Sequence, residues 1–226
     1  NRVWAEKIGI KQAARVTCIK PEGTSSLVLE SASGIHPHHS RKYFRRVQMN
    51  KIDNVYQFFK MYNEHMCEPS VWSANKTDDV VSFPIEVGPE AIVKGDLSAK
   101  QHLEYIKSTQ TNWVIPGTND YDKPIHHNVS CTVSVKDDEW DFVTKYLFDN
   151  RQYFCAVSLL PDFGDKLYAQ APNESVSTEA DVQKYGNIIN NMVSVDYTKL
   201  KEDEDETSVQ ATVACAGNAC EFVFNS

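Results

Sequence analysis

Apolar residues recur along this chain with two different periods, and the switches between them lay out its elements. Ala14 to Ile19 is an apolar run that ends in Lys20-Pro21-Glu22-Gly23, so a strand is expected to break at a tight turn shaped by Pro21 and Gly23. Ile52, Val55, Tyr56 and Phe59 stand at i, i+3, i+4 and i+7, which predicts an amphipathic helix over roughly residues 51 to 66. Val80 to Ile85 reads as a short strand closed by Pro84 and Gly88-Pro89. Ser98 with Gln101 three residues on is a capping box, and the helix it opens should bury Leu103 and Ile106. Val129, Cys131, Val133 and Val135 alternate with Ser130, Thr132 and Ser134, the period-2 pattern of a strand with one polar face. Asp137 or Asp138 should then cap a helix carrying Trp140, Val143 and Leu147. Cys155 to Leu160 is a further short run stopped by Pro161, and Thr178 with Asp181 opens a last helix whose inner face would be Val182, Tyr185, Ile188, Ile189 and Met192. Strands and helices alternate throughout, which argues for an α/β fold with parallel strands.

Composition narrows the class without naming a function. The chain has 226 residues, 41% hydrophobic, 24% charged and 11% aromatic, an ordinary globular balance that excludes collagen-like and wholly disordered chains. No apolar run approaches the roughly 18 residues of a membrane helix, and the opening NRVWAEKIGIKQ lacks a secretory signal's apolar stretch, so a cytoplasmic protein with no membrane partner is expected. The net charge is −8, of which Glu202 to Glu206 contributes five negatives and leaves −3 elsewhere. A nucleic-acid-binding surface is therefore disfavoured. After Leu200 the pattern stops: KEDEDETS repels itself and cannot bury apolar surface, so an extended, mobile linker is expected to carry residues 209 to 226. The expected organisation is residues 1–200 as a folded body and 201–226 as linker and tail.

Three places carry candidate chemistry. Gly23, Thr24, Ser25 and Ser26 follow a strand and open a helix, where backbone N–H groups without intrahelical partners could cradle a phosphate. No GxxxxGK[ST] motif is present, and the same residues also read as a plain strand-to-helix turn with good caps. His36, His38 and His39 tempt toward a metal, but neighbouring side chains diverge and no Cys or carboxylate stands at ligand spacing, so no metal site is assigned. Arg41, Lys42, Arg45 and Arg46 read as a solvated helix face that could add positive potential near the turn. Cys215 and Cys220, with Gly217 between them on a flexible tail, suit thiol–disulfide exchange; two unrelated thiols or half a zinc site are the other readings. Cys18, Cys67, Cys131 and Cys155 lie in apolar or alternating segments with no base nearby in sequence, the setting of small buried hydrophobes.

Taken in order, KPEGTSSLVLESASGIHPHHSRKYFRRV (20–47), NVSCTVSVKDDEW (128–140), VSLLPDFGDKLYAQAP (157–172) and ACAGNAC (214–220) resemble the C-terminal part of the adenosylcobalamin-dependent, class II ribonucleotide reductases. The resemblance implies the later strands and helices of a ten-stranded α/β barrel plus a flexible C-terminal tail, with adenosylcobalamin as cofactor and a ribonucleotide as substrate. It implies that Gly23, Thr24, Ser25 and Ser26 hold the substrate's phosphates. It makes Cys215 and Cys220 the dithiol that re-reduces the active site and is itself reduced by thioredoxin or a similar protein.

The departures from the family pattern matter as much. The family's radical cysteine sits in an N-x-C-x-E finger loop, which does not occur here, and the chain begins with Asn1 rather than Met. The expectation is a C-terminal piece that works with an upstream N-terminal part. Around Ala156-Val157-Ser158 no tyrosine pair of the iron-dependent class is found, though Tyr153 is near. A fragment of an iron-dependent large subunit and an inert phosphate-binding or redox-partner fragment are the competing readings. A part-barrel would also expose strand edges, so the isolated chain is expected to be poorly soluble or partly molten.

Overall fold

A computed structural model of the chain describes residues 1–119, 125–162 and 168–201. In chain order its elements are α1 (Arg2–Ile8), α2 (Ser25–Val28), β1 (Lys42–Asn50), α3 (Asn54–Asn63), β2 (Cys67–Pro69), β3 (Asp78–Glu86), α4 (Ala99–Thr109), β4 (Thr132–Val135), α5 (Trp140–Asp149), β5 (Ser158–Pro161), β6 (Asn173–Ser175) and α6 (Glu179–Asn191). The fold is mixed α/β, and both of its described sheets are open. The chain divides into two compact units. One is built from Asn1–His38 and the segment from Ile92 to residue 162; the other is built from His39–Ala91 and the described residues from 168 onward.

In the first unit β4 and β5 pair in parallel, from Thr132 opposite Ser158 to Val135 opposite Pro161. The predicted alternation holds, because Val129, Cys131, Val133 and Val135 are buried while Ser130, Thr132 and Ser134 are not. They join Ala99, Leu103 and Ile106 of α4 and Val143 of α5 in one core. Each fully buried Val or Leu there is worth about 1.5–3 kcal/mol of transfer free energy, so this cluster holds the unit together. The capping box is present as expected: the Gln101 amide donates to the Ser98 hydroxyl, and the Ser98 amide donates to Gln101 Oε1. At α5 the expected Asp cap gives way to Glu139. A 3₁₀ turn, Asp137–Glu139, leads into the helix, and the Glu139 carboxylate accepts from the amides of Lys136 and, at the start of α4, Ala99.

Residues 14–19 do not form the expected strand. Arg15 bridges Thr118 antiparallel, whereas Ile19 bridges Val129 in parallel, so the segment changes partner halfway and no ladder builds up. Gly117 permits the first of these approaches, since a Cβ there would stand 1.8 Å from Thr17 Oγ1. The run at 155–160 begins pairing late, at Ser158, because the Ala156 amide is taken by Asn128 Oδ1.

The second unit corrects the expectation of parallel strands. Its sheet runs β2-β3-β1-β6 and is antiparallel throughout, with β1 and β3 in register from Lys42 opposite Glu86 to Asn50 opposite Asp78. The basic run expected as a helix face lies at the start of this sheet, with Lys42, Arg45 and Arg46 in β1. Arg46 pairs with Glu174 and the Ala171 carbonyl, and Arg45 reaches Asn173. Pro84 sits inside β3 rather than ending it. β2 covers only Asp79 to Val81, so at Pro84 the outer side of β3 is an edge where no N–H is needed.

The helix expected at 51–66 is α3 followed by a 3₁₀ turn, Glu64–Met66, and Asp53 caps it by accepting from the Tyr56 amide. Of the predicted inner face of α6 only Tyr185 and Ile188 are buried, against Phe44, Tyr56, Met66 and Val81. Val182, Ile189 and Met192 are exposed, so the helix meets the sheet along a single narrow line. Beneath α3 the buried Asp79 carboxylate accepts from Tyr56 Oη at 2.5 Å and from Lys60 Nζ at 2.9 Å, with Lys51 Nζ 3.5 Å away. Burial opposes ionisation of Asp79, but the Tyr56 and Lys60 hydrogen bonds outweigh it and hold the carboxyl below its ordinary 3.8.

Candidate functional site

The hydroxyl-rich turn lies where the chain leaves Ile19 and enters α2. Its sharp bend is made by Glu22, at φ +48°, and not by Gly23, whose φ is not positive and around which an added Cβ would meet nothing within 4 Å. α2 is only four residues long and has no side-chain cap, because the hydroxyls turn inward or back. Ser25 Oγ donates to Glu22 Oε2 at 3.3 Å, and the buried Ser26 Oγ donates to the Gly23 carbonyl at 3.4 Å. The Ser26 amide is taken by the Glu22 carbonyl and the Leu27 amide by that of Thr24. Among the described residues no backbone carbonyl accepts from the amides of Gly23, Thr24 or Ser25. What the turn offers an anion is therefore these three N–H groups, with Thr24 and Ser25 exposed and Gly23 half-buried, rather than a helix dipole or the Ser26 hydroxyl.

A second loop braces this turn, and sequence reading missed it. Gly34 adopts φ +58° and packs so closely that a Cβ would stand 2.5 Å from the Lys20 carbonyl oxygen. Ser33 Oγ donates to the Pro21 carbonyl, and the Ser31 amide donates to that of Ser26. The loop is fixed in turn by two imidazoles. His36 Nδ1 donates to the Ser33 carbonyl at 2.8 Å, and His36 Nε2 accepts from the Thr132 amide of β4 at 3.0 Å, which together specify the neutral Nδ1–H tautomer. His102 of α4 directs Nε2–H at the Ile35 carbonyl, 3.0 Å away, and at Cys131 Sγ, 3.1 Å away. Burial, with His36 nearby, holds His102 below its ordinary 6.5 despite the Ile35 carbonyl. The signal for His102 was present: it stands beside Leu103 on the buried stripe of α4, where a polar residue needs a partner.

The cysteines divide. Cys131 is buried, and the His102 nitrogen 3.1 Å from its sulfur already carries its proton; burial pushes the thiol up to about 12, so it is a protonated packing group and not a nucleophile, as expected. Cys67 is half-buried, with its thiol raised by burial. Cys18 and Cys155 are exposed, contrary to expectation, because their segments belong to irregular crossings rather than continuous strands. Cys215 and Cys220 lie outside the described residues.

His36 and His38 belong to the first unit and His39 to the second. Among the described residues no three His, Cys, Asp or Glu side chains converge as a metal ion would need, and no helix is long and apolar enough to cross a membrane.

No family model matches the chain. Its structure is similar to a crystal structure of a B12-dependent, class II ribonucleotide reductase, with a TM-score of 0.65 and 25% identity over 83% of this chain and 24% of that one. The particular enzymes it resembles are the adenosylcobalamin-dependent ribonucleoside-triphosphate reductases. That of Lactobacillus delbrueckii subsp. bulgaricus is 25% identical over 221 residues, which cover 96% of this chain and 28% of the relative. A probable enzyme of that name from Dictyostelium discoideum is 28% identical over 223 residues, 97% of this chain and 27% of the relative. The chain thus spans little more than a quarter of the length of the curated relatives it matches. The resemblance read from the four motifs extends over nearly the whole chain, and the relatives and the structural neighbour are all adenosylcobalamin- or B12-dependent reductases.

Three of the described histidines already have partners within the protein. Both ring nitrogens of His36 are committed, His102 Nε2 faces Ile35 and Cys131, and His126 Nδ1 is engaged with Thr118 Oγ1 at 3.0 Å.

Proposed function

We propose that this chain contributes part of the catalytic barrel of an adenosylcobalamin-dependent ribonucleotide reductase, together with its substrate-phosphate turn and its redox tail. The observation that carries the reading is the similarity to adenosylcobalamin-dependent reductases over 96% of the chain. The reading is supported locally by the turn, whose Gly23, Thr24 and Ser25 amides meet no carbonyl among the described residues and whose shape is held from behind by the 31–36 loop. Those three N–H groups would hold the terminal phosphate oxygens of a ribonucleotide and so place its ribose, while the cofactor supplies the radical. Ser26 would act only through its bond to the Gly23 carbonyl.

The radical cysteine and the barrel cysteine pair would come from the upstream part of the enzyme. Reduction removes the 2′-hydroxyl as water and leaves that pair as a disulfide. Cys215 and Cys220 would then give up two thiol protons and two electrons by exchange, becoming a disulfide that thioredoxin or a similar dithiol protein reduces. The class named by the relatives described above is the cobalamin one, which favours that reading over the iron-dependent one. A cytoplasmic setting, in which such a reductant is available, is part of the proposal.

The test is a titration of the chain with inorganic pyrophosphate followed by the amide signals of residues 23–25. Saturable shifts confined to the turn are expected. Shifts that are absent, or spread over Lys and Arg residues elsewhere, would count against the phosphate role.

A further inference from the structure

The structure assigns a positioning residue behind the phosphate turn: the neutral imidazole of His36, which touches no substrate but ties the bracing loop to β4 and so holds the Gly23, Thr24 and Ser25 amides in place. The inference rests on the phosphate reading of that turn. The chain of contacts is continuous. Thr132 is fixed by its ladder with Ser158, and its N–H is bound by His36 Nε2. The Nδ1–H on the opposite side of the ring holds the Ser33 carbonyl, and Ser33 Oγ holds Pro21 at the entry of the turn. Gly34, between them, lies against the Lys20 carbonyl.

An imidazole suits this place because one rigid ring presents a donor and an acceptor on opposite sides. His102 supports the next residue by donating to the Ile35 carbonyl, and Ile35 itself packs on the core. His36, which tempts toward a metal in sequence, and His102 of α4 are thus committed to holding one short loop.

The substitutions separate the two halves of the ring's work. His36→Gln can place its amide oxygen where Nε2 stands and keep the Thr132 bond. His36→Asn keeps a donor for Ser33 but falls short of Thr132, and His36→Ala keeps neither. In the unmodified chain, nitrogen NMR of His36 should show the neutral Nδ1–H tautomer. In His36→Ala, amide exchange at Thr132 and at Ser26 and Leu27, whose N–H groups are bonded within the turn, should rise about tenfold, and pyrophosphate affinity should fall by a similar factor. His36→Gln should restore most of both and His36→Asn little of either. If His36→Ala does not fold, the Gln and Asn variants carry the same comparison.

A protonated or Nε2–H imidazole in the folded chain would overturn the assignment, as would unchanged exchange at Ser26 and Leu27 once the Thr132 bond is lost. Failure of the parent reading looks different. If the unmodified chain binds no pyrophosphate, the phosphate role falls, and exchange at Ser26 and Leu27 in the variants still decides whether His36 positions the turn.

Discussion

Substituting the two glycines that flank the turn should have opposite consequences. Gly34→Ala puts an L side chain at φ +58°, with its Cβ 2.5 Å from the Lys20 carbonyl oxygen and 3.4 Å from Ile19 Cγ2. The left-handed conformation alone costs about 1–2 kcal/mol. The overlap adds about 1–3 kcal/mol, because the obstructing atom is backbone next to Ile19, which is tied to β4's lead-in by two hydrogen bonds to Asn128 and Ser130. A loss of about 2–5 kcal/mol is a large share of an ordinary domain's stability and should lower the urea midpoint plainly. Gly23→Ala meets nothing within 4 Å and needs no positive φ, so its stability should be unchanged or raised by up to about 1 kcal/mol. Its methyl would nonetheless stand beside the three unclaimed amides, so pyrophosphate affinity should fall while the fold is intact. Urea unfolding and pyrophosphate titration of the two variants make the comparison. A destabilised Gly23→Ala, a neutral Gly34→Ala, or full pyrophosphate affinity in Gly23→Ala would each refute the reasoning.

Asp79→Asn should destabilise the protein by about 1–3 kcal/mol, read as a lower urea midpoint, since it removes the charge that Lys60 and Lys51 pair with and weakens the acceptor of the buried Tyr56 hydroxyl. His102 has its folded pKa below 6.5, so the unfolded chain binds the proton first: its contribution is complete above about pH 6.5 and is lost as pH falls from there toward the folded value. Urea midpoints between pH 7 and 5 should therefore decline, and His102→Gln should flatten that decline. Asp79, with its pKa depressed from 3.8, adds a second loss at more acid pH, below the ordinary carboxylate range. Cys215→Ser or Cys220→Ser in the assembled reductase should abolish turnover with thioredoxin and spare part of it with a small dithiol; equal loss with both reductants would refute the shuttle.

Local signals were readable where one physical rule decides the outcome. The Ser98 and Thr178 capping boxes and the alternation from Val129 to Val135 each stand in the structure as their spacing implies. What could not be read was pairing at a distance. The run at 14–19 looks like a strand, but its two halves bond to different segments, and the Arg45-Arg46 run looks like a helix face until β3 and β6 are seen beside it. The turn was visible in Gly23 to Ser26, yet its strain lies at Glu22 and its need for glycine at Gly34, which becomes apparent only when the loop folds back on Lys20. The partners of His36 and His102 were hidden for the same reason: Thr132 and Ile35 are 96 and 67 residues away in sequence.

The central claim is that this chain supplies one part of a cobalamin-dependent reductase, and the direct measurement is ribonucleotide reduction with adenosylcobalamin and a dithiol. The chain alone should be inactive, and mixing it with the polypeptide encoded immediately upstream should yield deoxyribonucleotide in an adenosylcobalamin-dependent manner. Inactivity of the mixture, or activity that ignores adenosylcobalamin and requires a separate radical-generating subunit, would contradict the account.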